Sequence, residues 1–285
     1  MDKIRTLYVS DLDGTLLDAD STISDESARL LDDAIRHRGA LFTIATARTP
    51  ATAAPIMSRL PAAHLPFVVI GGTAWWNPVA RDYAYVCPID AATVEAIDTV
   101  MRQHAVRPFI YRRHGNWLHT YHYGPMSDQE KTFVAQRTGL QYKTFHLDRA
   151  DYLNAADGEQ TLFIFSMNRY DRLRVIRDDL NAAGIACQVM LYHDIVDPDN
   201  GYLEISAHRC TKASSIALLA RELKAERVVV FGDNRNDIAM MRSATVSVAP
   251  DNAFDDVKAV ADVVIGPNTA SSVARWIARD LDVRC

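Results

Sequence analysis

The chain has 285 residues, of which 48% are hydrophobic and 24% are charged, and this balance excludes a disordered protein. That length suits one large domain or two of modest size. The formal net charge of −5 argues against a protein that binds nucleic acid by neutralising many phosphates, so we expect a small-molecule partner. The four cysteines form no Cys-x-x-Cys pair, and reduced thiols are the simplest interpretation.

The N-terminal part of the chain lacks an apolar signal-peptide core, which favours a cytoplasmic location. Residues 60–80 contain no charged side chain, and a stretch of that length could span a membrane. Three prolines and two glycines interrupt it, however, and Val68–Ile70 has the composition of a short buried strand. We therefore predict no membrane association.

The first predicted strand, Leu7–Val9, is followed by the sequence Asp-Leu-Asp-Gly-Thr. Side chains two positions apart in an extended chain share a face, so Asp11 and Asp13 can converge, and Gly14 allows a sharp turn. Two negative charges this close need a positive charge beside them, and Mg²⁺, which takes oxygen ligands, would supply it. A phosphate ester would complete such a site. A simple turn or a calcium loop is the alternative, but an EF-hand loop needs Glu at the position of Thr22.

Apolar runs and amphipathic stretches alternate at both ends of the chain. Continuous apolar runs, which are typical of strands buried on both faces, occur at Leu7–Val9, Leu41–Ala45, Phe67–Ile70, Val228–Phe231 and Val263–Ile265. Helical periodicity is found at Ser24–Arg38, Thr211–Leu223, Asn236–Ser243 and Ala270–Leu281. Together they predict an α/β fold with a doubly wound, Rossmann-like parallel sheet, in which ligands bind beyond the carboxyl ends of the strands.

The middle of the chain mixes strand-like and helical segments differently. Strands are predicted at Arg107–Tyr111, Trp117–Tyr121 and Leu162–Met167, and helices at Ala91–His104, Ser127–Arg137 and Tyr170–Ala183. We therefore predict an α+β domain of residues 83–190 inserted into a core domain of residues 1–82 and 191–285. The basic and aromatic segment Arg107–Tyr123 suits a β-hairpin better than a nucleic-acid surface, and we predict no nucleic-acid partner.

The order of several short motifs resembles that of haloacid dehalogenase superfamily phosphatases, and among them the Cof-type hydrolases. The matching residues are Asp11-Leu12-Asp13-Gly14-Thr15, Thr46, Lys212 and Gly232-Asp233-Asn234-Arg235-Asn236-Asp237. The long interval between Thr46 and Lys212 leaves room for the large α/β cap that these relatives insert between their second and third motifs. Two departures are Ala47, where the family usually has Gly, and Gly71, where Asn is common.

The resemblance implies a Mg²⁺-dependent phosphatase. Asp11 would be the nucleophile that forms an aspartyl-phosphate, and Asp13 the general acid and base. Mg²⁺ would bind the carboxylates of Asp11 and Asp233 and the backbone carbonyl of Asp13, while Asn236 and Asp237 orient ligands or waters. The implied substrate is a small phosphate monoester; a sugar phosphate is favoured, and a nucleotide or pyridoxal phosphate is a neighbouring possibility.

The same resemblance implies which residues bind the substrate. Thr46 would donate a hydrogen bond to a phosphate oxygen and Lys212 would supply a positive charge. Arg48 is either a substrate contact or an ion-pair partner, and Gly71 and Gly72 are expected near the pocket. Two other interpretations stay open: a phosphotransferase or mutase acting on sugar phosphates, and an inactive binding protein on the same scaffold. The oligomeric state cannot be predicted from these patterns.

Overall fold

The computed structural model of the protein describes residues 4–149, 158–194 and 196–283. The chain divides into two compact units, one formed by the segments up to Tyr85 and from Thr211 onward, and the other by Val86–Cys210. The second unit is thus inserted into the chain of the first, as the sequence predicted.

The first unit is built on a parallel sheet. Numbered along the whole chain, its strands are β1 (Thr6–Ser10), β2 (Leu41–Ile44), β12 (Arg227–Phe231), β13 (Val246–Pro250) and β14 (Val263–Ile265). They lie in the order β14-β13-β12-β1-β2, and all neighbouring pairs are parallel. Every residue of β1 is buried, as expected for a strand covered on both faces. The predicted fold class is confirmed; β13 is a strand that the sequence did not predict.

Helices surround this sheet. They are α1 (Asp25–Arg38), α2 (Pro50–Met57), α6 (Lys212–Glu222), α7 (Ile238–Ser243), α8 (Asp255–Lys258) and α9 (Ser272–Asp282). Helix α1 begins where Ser24 accepts a hydrogen bond from the backbone of Ser27, and it ends at Gly39, which has a left-handed φ of 73°. Ser24 is therefore the N-cap of this helix.

A small second sheet in this unit corrects one strand prediction. Its strands are β3 (Phe67–Val69), β4 (Ala74–Asn77) and β5 (Asp82–Val86). The run Phe67–Ile70, predicted as part of the parallel sheet, pairs antiparallel with β4, and a parallel bridge joins Val68 to Ala45. The reason is local, because Ile70 and Gly71 both have positive φ and reverse the chain directly after β3.

The second unit contains a mixed sheet. Its strands are β6 (Phe109–His114), β7 (Trp117–Tyr121), β8 (Lys143–His146), β9 (Gln160–Arg169), β10 (Cys187–His193) and β11 (Asn200–Ala207), in the order β10-β11-β9-β6-β7-β8. The β7–β8 pair is parallel and the other pairs are antiparallel. The helices are α3 (Ala91–Gln103), α4 (Asp128–Ala135) and α5 (Tyr170–Ala182).

Two features of this sheet bear on the sequence predictions. The predicted hairpin is confirmed, since β6 and β7 pair antiparallel and the turn joins His114 to Trp117. The second unit ends later than residue 190, because β10 and β11 pair with each other and β11 pairs with β9 in the same sheet.

Within the described residues, no helix combines the length and apolar composition that crossing a membrane requires.

Candidate active site

Three neighbouring strands of the first unit deliver their following loops to one edge of the parallel sheet. The backbone N–H of Asp11, just after β1, donates to the carbonyl of Phe231 at the end of β12, 2.9 Å away. On the other side, the N–H of Ala45 after β2 donates to the carbonyl of Ser10. The three loops therefore begin side by side at the carboxyl ends of the strands, where ligands of such sheets bind.

Lys212 lies between two buried carboxylates of this edge. Its Nζ is 2.8 Å from Oδ1 of Asp11 and 2.8 Å from Oδ1 of Asp237, and its side chain is only 4% exposed. Burial alone would lower the pKa of Lys212, but the two carboxylates outweigh this effect and hold its pKa above the ordinary value. The ammonium is therefore a fixed positive charge beside Asp11.

The position of Lys212 depends on the start of helix α6. Thr211 caps this helix, because its hydroxyl accepts a hydrogen bond from the backbone of Ser214. Gly72 lies directly against this turn: a Cβ on Gly72 would come within 2.2 Å of the Thr211 carbonyl carbon. The hydroxyl of Ser215 donates to the carbonyl of Gly72 at 2.8 Å. Gly72 therefore fixes the helix that carries Lys212.

Asp237 is held from two sides in the loop after β12. Its Oδ2 accepts hydrogen bonds from the backbone N–H groups of Asp233 and Asn234, both at 3.2 Å, while Oδ1 accepts from Lys212. Its side chain is completely buried. A Cβ at Gly232 would come within 2.5 Å of the Asp237 Cβ, so this loop requires glycine at that position.

Asp233 lies against the loop that follows β1. The hydroxyl of Thr15 donates to Oδ1 of Asp233 at 2.6 Å. Gly14 has a φ of +74°, and a Cβ there would be 2.3 Å from Oδ2 of Asp233. Gly14 is thus needed both for its left-handed backbone and for the close approach of a carboxylate.

Three of these carboxylates could hold a metal ion. Asp11, Asp233 and Asp237 each offer an oxygen, and the three atoms lie within 4.8 Å of one another. Burial is the main reason why the pKa of Asp11 is raised to about 7 and that of Asp233 to about 6. Lys212 compensates only one of the three negative charges, so a divalent cation suits this group of oxygen donors.

Asn236 supplies a further oxygen in the same loop. Its Oδ1 is buried and has no hydrogen-bond partner among the described residues. Buried polar atoms are usually satisfied, so this amide oxygen suits a water or ligand bound at the site. The sequence assigned an orienting role to Asp237, and the structure places one of its carboxylate oxygens within 4.8 Å of those of Asp11 and Asp233.

Asp13 forms an ion pair with Arg48. Nε of Arg48 is 2.7 Å from Oδ2 of Asp13, and Nη2 is 2.5 Å from Oδ1. The Asp13 side chain is 52% exposed, in contrast to the buried carboxylates around Lys212. The sequence left open whether Arg48 contacts the substrate or forms an ion pair, and the structure shows the ion pair.

The other predicted substrate residues lie in the loop after β2 and in the turn after β3. Thr46 is buried, and its hydroxyl accepts a hydrogen bond from the backbone N–H of Arg48 at 3.1 Å. The N–H of Gly71 donates to the carbonyl of Thr46 at 3.0 Å, so the two segments are tied together. A Cβ on Gly71 would meet no atom within 4 Å, whereas Gly72 lies against the start of α6.

Sequence reasoning missed the role of Ser215. The indole N–H of Trp75 donates to the Ser215 hydroxyl at 3.0 Å, and that hydroxyl in turn donates to Gly72. This chain of bonds anchors helix α6. The only signal in the sequence is the Thr-x-x-Ser spacing at residues 211–214, which marks a helix start but does not identify the buried partners.

Comparison with known proteins gives a family match over most of the chain. The family model for haloacid dehalogenase-like hydrolases matches residues 8–277. Among curated proteins, the pyridoxal phosphate phosphatase YbhA of Escherichia coli is 27% identical over 282 residues, which cover 94% of this chain and 95% of that protein. The 5-amino-6-(5-phospho-D-ribitylamino)uracil phosphatase YcsE of Bacillus subtilis is 25% identical over 278 residues, covering 95% of this chain and 94% of that protein.

Solved structures share the fold. A haloacid dehalogenase-like hydrolase from Bacteroides thetaiotaomicron has a TM-score of 0.76 at 20% identity, covering 97% of this chain and 99% of its own. The subclass IIB sugar phosphatase BT4131 has a TM-score of 0.72 at 19% identity, covering 97% of this chain and 98% of its own. At these identities the likeness is one of architecture.

Proposed function

Because the chain belongs to the haloacid dehalogenase-like hydrolases, we propose that it is a Mg²⁺-dependent phosphatase of small phosphate monoesters. The family match confirms the prediction that the protein is a hydrolase. One observation carries the proposal: the Asp11 carboxylate is buried, bound to Lys212, and within reach of the carboxylates of Asp233 and Asp237. A carboxylate bounded by one ammonium and a cation site is suited to attack a phosphoryl group whose charge must be neutralised.

Asp11 is the proposed nucleophile. Lys212 holds one of its oxygens at 2.8 Å, which fixes the orientation of the carboxylate. Its attack on phosphorus would form an aspartyl-phosphate and release the alcohol of the ester, and water would then hydrolyse this intermediate. The same ammonium would contact the transferred phosphoryl group, as would the Thr46 hydroxyl in the neighbouring loop.

Asp13 is the proposed general acid and base. It lies two residues after Asp11 in the same loop and is the more exposed of the two, with 52% of its side chain accessible. It would protonate the leaving oxygen in the first step and accept a proton from the attacking water in the second. Arg48 binds both carboxylate oxygens of Asp13, so the substrate must compete with Arg48 for this carboxylate.

Mg²⁺ is the proposed metal. The carboxylates of Asp11, Asp233 and Asp237 would hold it, with the Asn236 oxygen and the Asp13 carbonyl as further candidates. When bound, it supplies charge that stabilises the phosphoryl oxygens during transfer.

The proposed substrate class is a sugar phosphate, in line with the shared architecture of BT4131. A phosphate ester that carries an aromatic ring is a second candidate. It is favoured by the two curated relatives that match nearly the whole chain, whose names give pyridoxal phosphate and a ribitylaminouracil phosphate as their substrates. A phosphotransferase remains the alternative reaction, because the aspartyl-phosphate could pass its phosphoryl group to a sugar hydroxyl.

The test is a screen of phosphorylated metabolites that contains both classes, with and without Mg²⁺. We expect Mg²⁺-dependent release of phosphate, and in ¹⁸O-enriched water the released phosphate should contain the isotope. The control is Asp11→Asn, which removes the nucleophile with almost no change in volume and should be folded but inactive. No turnover of any ester, including p-nitrophenyl phosphate, would favour the inactive binding protein. Transfer of the phosphoryl group to an added sugar in place of release as phosphate would favour the transferase.

A further inference from the structure

Two cysteines of the second unit lie side by side, next to the points where the chain enters and leaves that unit. The chain enters it between Tyr85 and Val86 and leaves it between Cys210 and Thr211, so Cys87 and Cys210 flank the two crossings. Their Cα atoms are 6.3 Å apart and their sulfurs are joined as a disulfide. This Cα separation lies within the range of about 4.4–6.8 Å found for natural disulfides.

Backbone hydrogen bonds to the sheet of the second unit hold the two cysteines near each other. After Cys87, the backbone N–H of Ile89 donates to the carbonyl of Thr161 in β9 at 2.8 Å. Before the other crossing, the N–H of Cys210 donates to the carbonyl of Ala207 at the end of β11. Since β9 and β11 are neighbouring strands, the two segments are held together by backbone hydrogen bonds as well as by the sulfurs.

We propose that Cys87 and Cys210 form a reversible disulfide that fastens the two ends of the inserted unit to each other, with a low-molecular-weight disulfide such as oxidised glutathione as its oxidant. One protein thiolate attacks a sulfur of the oxidant and displaces one thiolate from it. The second protein thiolate then attacks the mixed disulfide and displaces the other. Two electrons pass to the oxidant, and the two protons lost by the protein thiols are taken up by the two released thiolates.

Burial determines how this pair reacts. Cys87 is 2% exposed and Cys210 is 3% exposed, so a reagent reaches them only when the segments open locally. Exchange with glutathione in either direction is therefore expected to be slow and to need this local opening. Cys187, the free cysteine of the described residues, is half-buried, and burial raises the pKa of its thiol. Among the described residues it has no sulfur partner, and it is a poor competitor for the oxidant at neutral pH.

The bond closes a long loop, because the two cysteines are 123 residues apart in the chain. A cross-link over such a loop restricts the unfolded chain strongly and stabilises the folded protein. Lys212 follows Cys210 by only two residues, so the bond also restrains the segment that leads to the site lysine. Oxidation is therefore expected to raise the melting temperature and to change the turnover of the proposed phosphatase reaction.

The decisive experiment counts free thiols. The full-length protein is equilibrated with mixtures of reduced and oxidised glutathione, quenched with acid, unfolded and alkylated with N-ethylmaleimide, and its mass is measured. We expect Cys87 and Cys210 to carry no adduct under oxidising conditions and all four cysteines of the chain to carry one under reducing conditions, and the peptide map should show Cys87 linked to Cys210. Four adducts at every ratio, or a linkage between other cysteines, would overturn the proposal.

Thermal unfolding gives a second readout with matched variants. The oxidised protein should melt about 5 °C or more above the reduced protein. This difference should vanish in Cys87→Ala and Cys210→Ala and persist in Cys187→Ala. A redox-dependent shift that survives in Cys87→Ala would contradict the assignment. If the alanine variants do not fold, the adduct count of the natural protein still decides the question.

Discussion

Arg48 binds both carboxylate oxygens of Asp13, with Nε 2.7 Å from Oδ2 and Nη2 2.5 Å from Oδ1. The two residues come from different loops, one after β1 and the other after β2. Such a two-point contact fixes the plane of the carboxylate as well as its position. If Asp13 is the proton donor and acceptor of the reaction, Arg48 determines where that proton is exchanged.

The first prediction concerns Arg48. Arg48→Ala should lower kcat by roughly 10–100-fold, a part of the 100-fold or more that a positioned general acid contributes. If Arg48 contacts the substrate instead, the change should fall mainly on KM. Steady-state kinetics over a range of pH separates the two roles. Arg59→Ala, which removes a similar ion pair with the exposed Asp25, is the control and should leave kcat unchanged. A normal kcat in Arg48→Ala would show that Asp13 needs no such partner.

The second prediction uses two glycines with nearly the same backbone. Gly14 has a φ of +74° and Gly39 a φ of +73°, but only Gly14 has a neighbour, Asp233, within reach of a Cβ. Both Gly→Ala variants should lose about 1 kcal/mol of stability from the positive φ. Gly14→Ala should in addition lose Mg²⁺-dependent turnover, because the methyl group displaces a candidate metal ligand. Urea unfolding and activity assays measure the two effects; full activity in Gly14→Ala would argue against the proposed place of Asp233.

The third prediction concerns metal binding without turnover. A ligand that binds only the folded state stabilises it, by about 2.7 kcal/mol at 100 times its Kd. Saturating Mg²⁺ should therefore raise the melting temperature of the natural protein, and EDTA should reverse the rise. Asp233→Asn should abolish most of it. Asp255→Asn changes a fully exposed carboxylate in the same unit and should behave like the natural protein. An equal shift in both variants would place the metal elsewhere.

These site relationships show what the sequence could predict. Asp11 and Asp233 were expected together because parallel strands present their following loops at one edge. Lys212 was added by the family resemblance, and the structure brings the three residues together. The sequence could not decide the partner of Arg48, because a guanidinium at that edge can reach either a substrate or a carboxylate. The role of Gly72 also stayed hidden, because it depends on the backbone of Thr211, far away in the chain.

The fold was predictable to a similar extent. Strands buried on both faces, such as β1 and β12, are visible as continuous apolar runs. The end of the inserted unit was not visible, because strand pairing between β10, β11 and β9 decides it rather than any change in composition. The proximity of Cys87 and Cys210 was equally hidden, since spacing in the chain does not show which distant segments meet.

The fourth prediction concerns Lys143, a buried lysine of the second unit that is 5% exposed. Its Nζ lies 4.6 Å from the ring centre of Tyr111 and 4.5 Å from that of Phe145, and cation–π attraction offsets part of the cost of burying its charge. Burial lowers the pKa of Lys143 to about 7. Lys143→Met should therefore stabilise the protein at pH 7 by about 1 kcal/mol or more.

The pH dependence of this gain has a definite sign. The unfolded chain binds a proton at Lys143 up to a pKa of about 10.4, whereas the folded protein releases it above about pH 7. The natural protein therefore gains stability from this residue as the pH rises from 7 to 10, and the advantage of Lys143→Met should shrink over that window. Urea unfolding at pH 7 and pH 10 tests this. The exposed Lys131, changed to Met, is the control; a gain independent of pH would contradict the account.

The central claim, that Asp11 is phosphorylated during turnover, can be tested by trapping the intermediate. The protein is mixed with Mg²⁺ and an active phosphate ester, quenched in acid after less than one turnover, and reduced with borohydride. Reduction of an aspartyl-phosphate gives homoserine, and peptide mass spectrometry locates it. We predict homoserine at position 11, and none in the folded Asp11→Asn protein. Homoserine at another aspartate would contradict the assignment of the nucleophile.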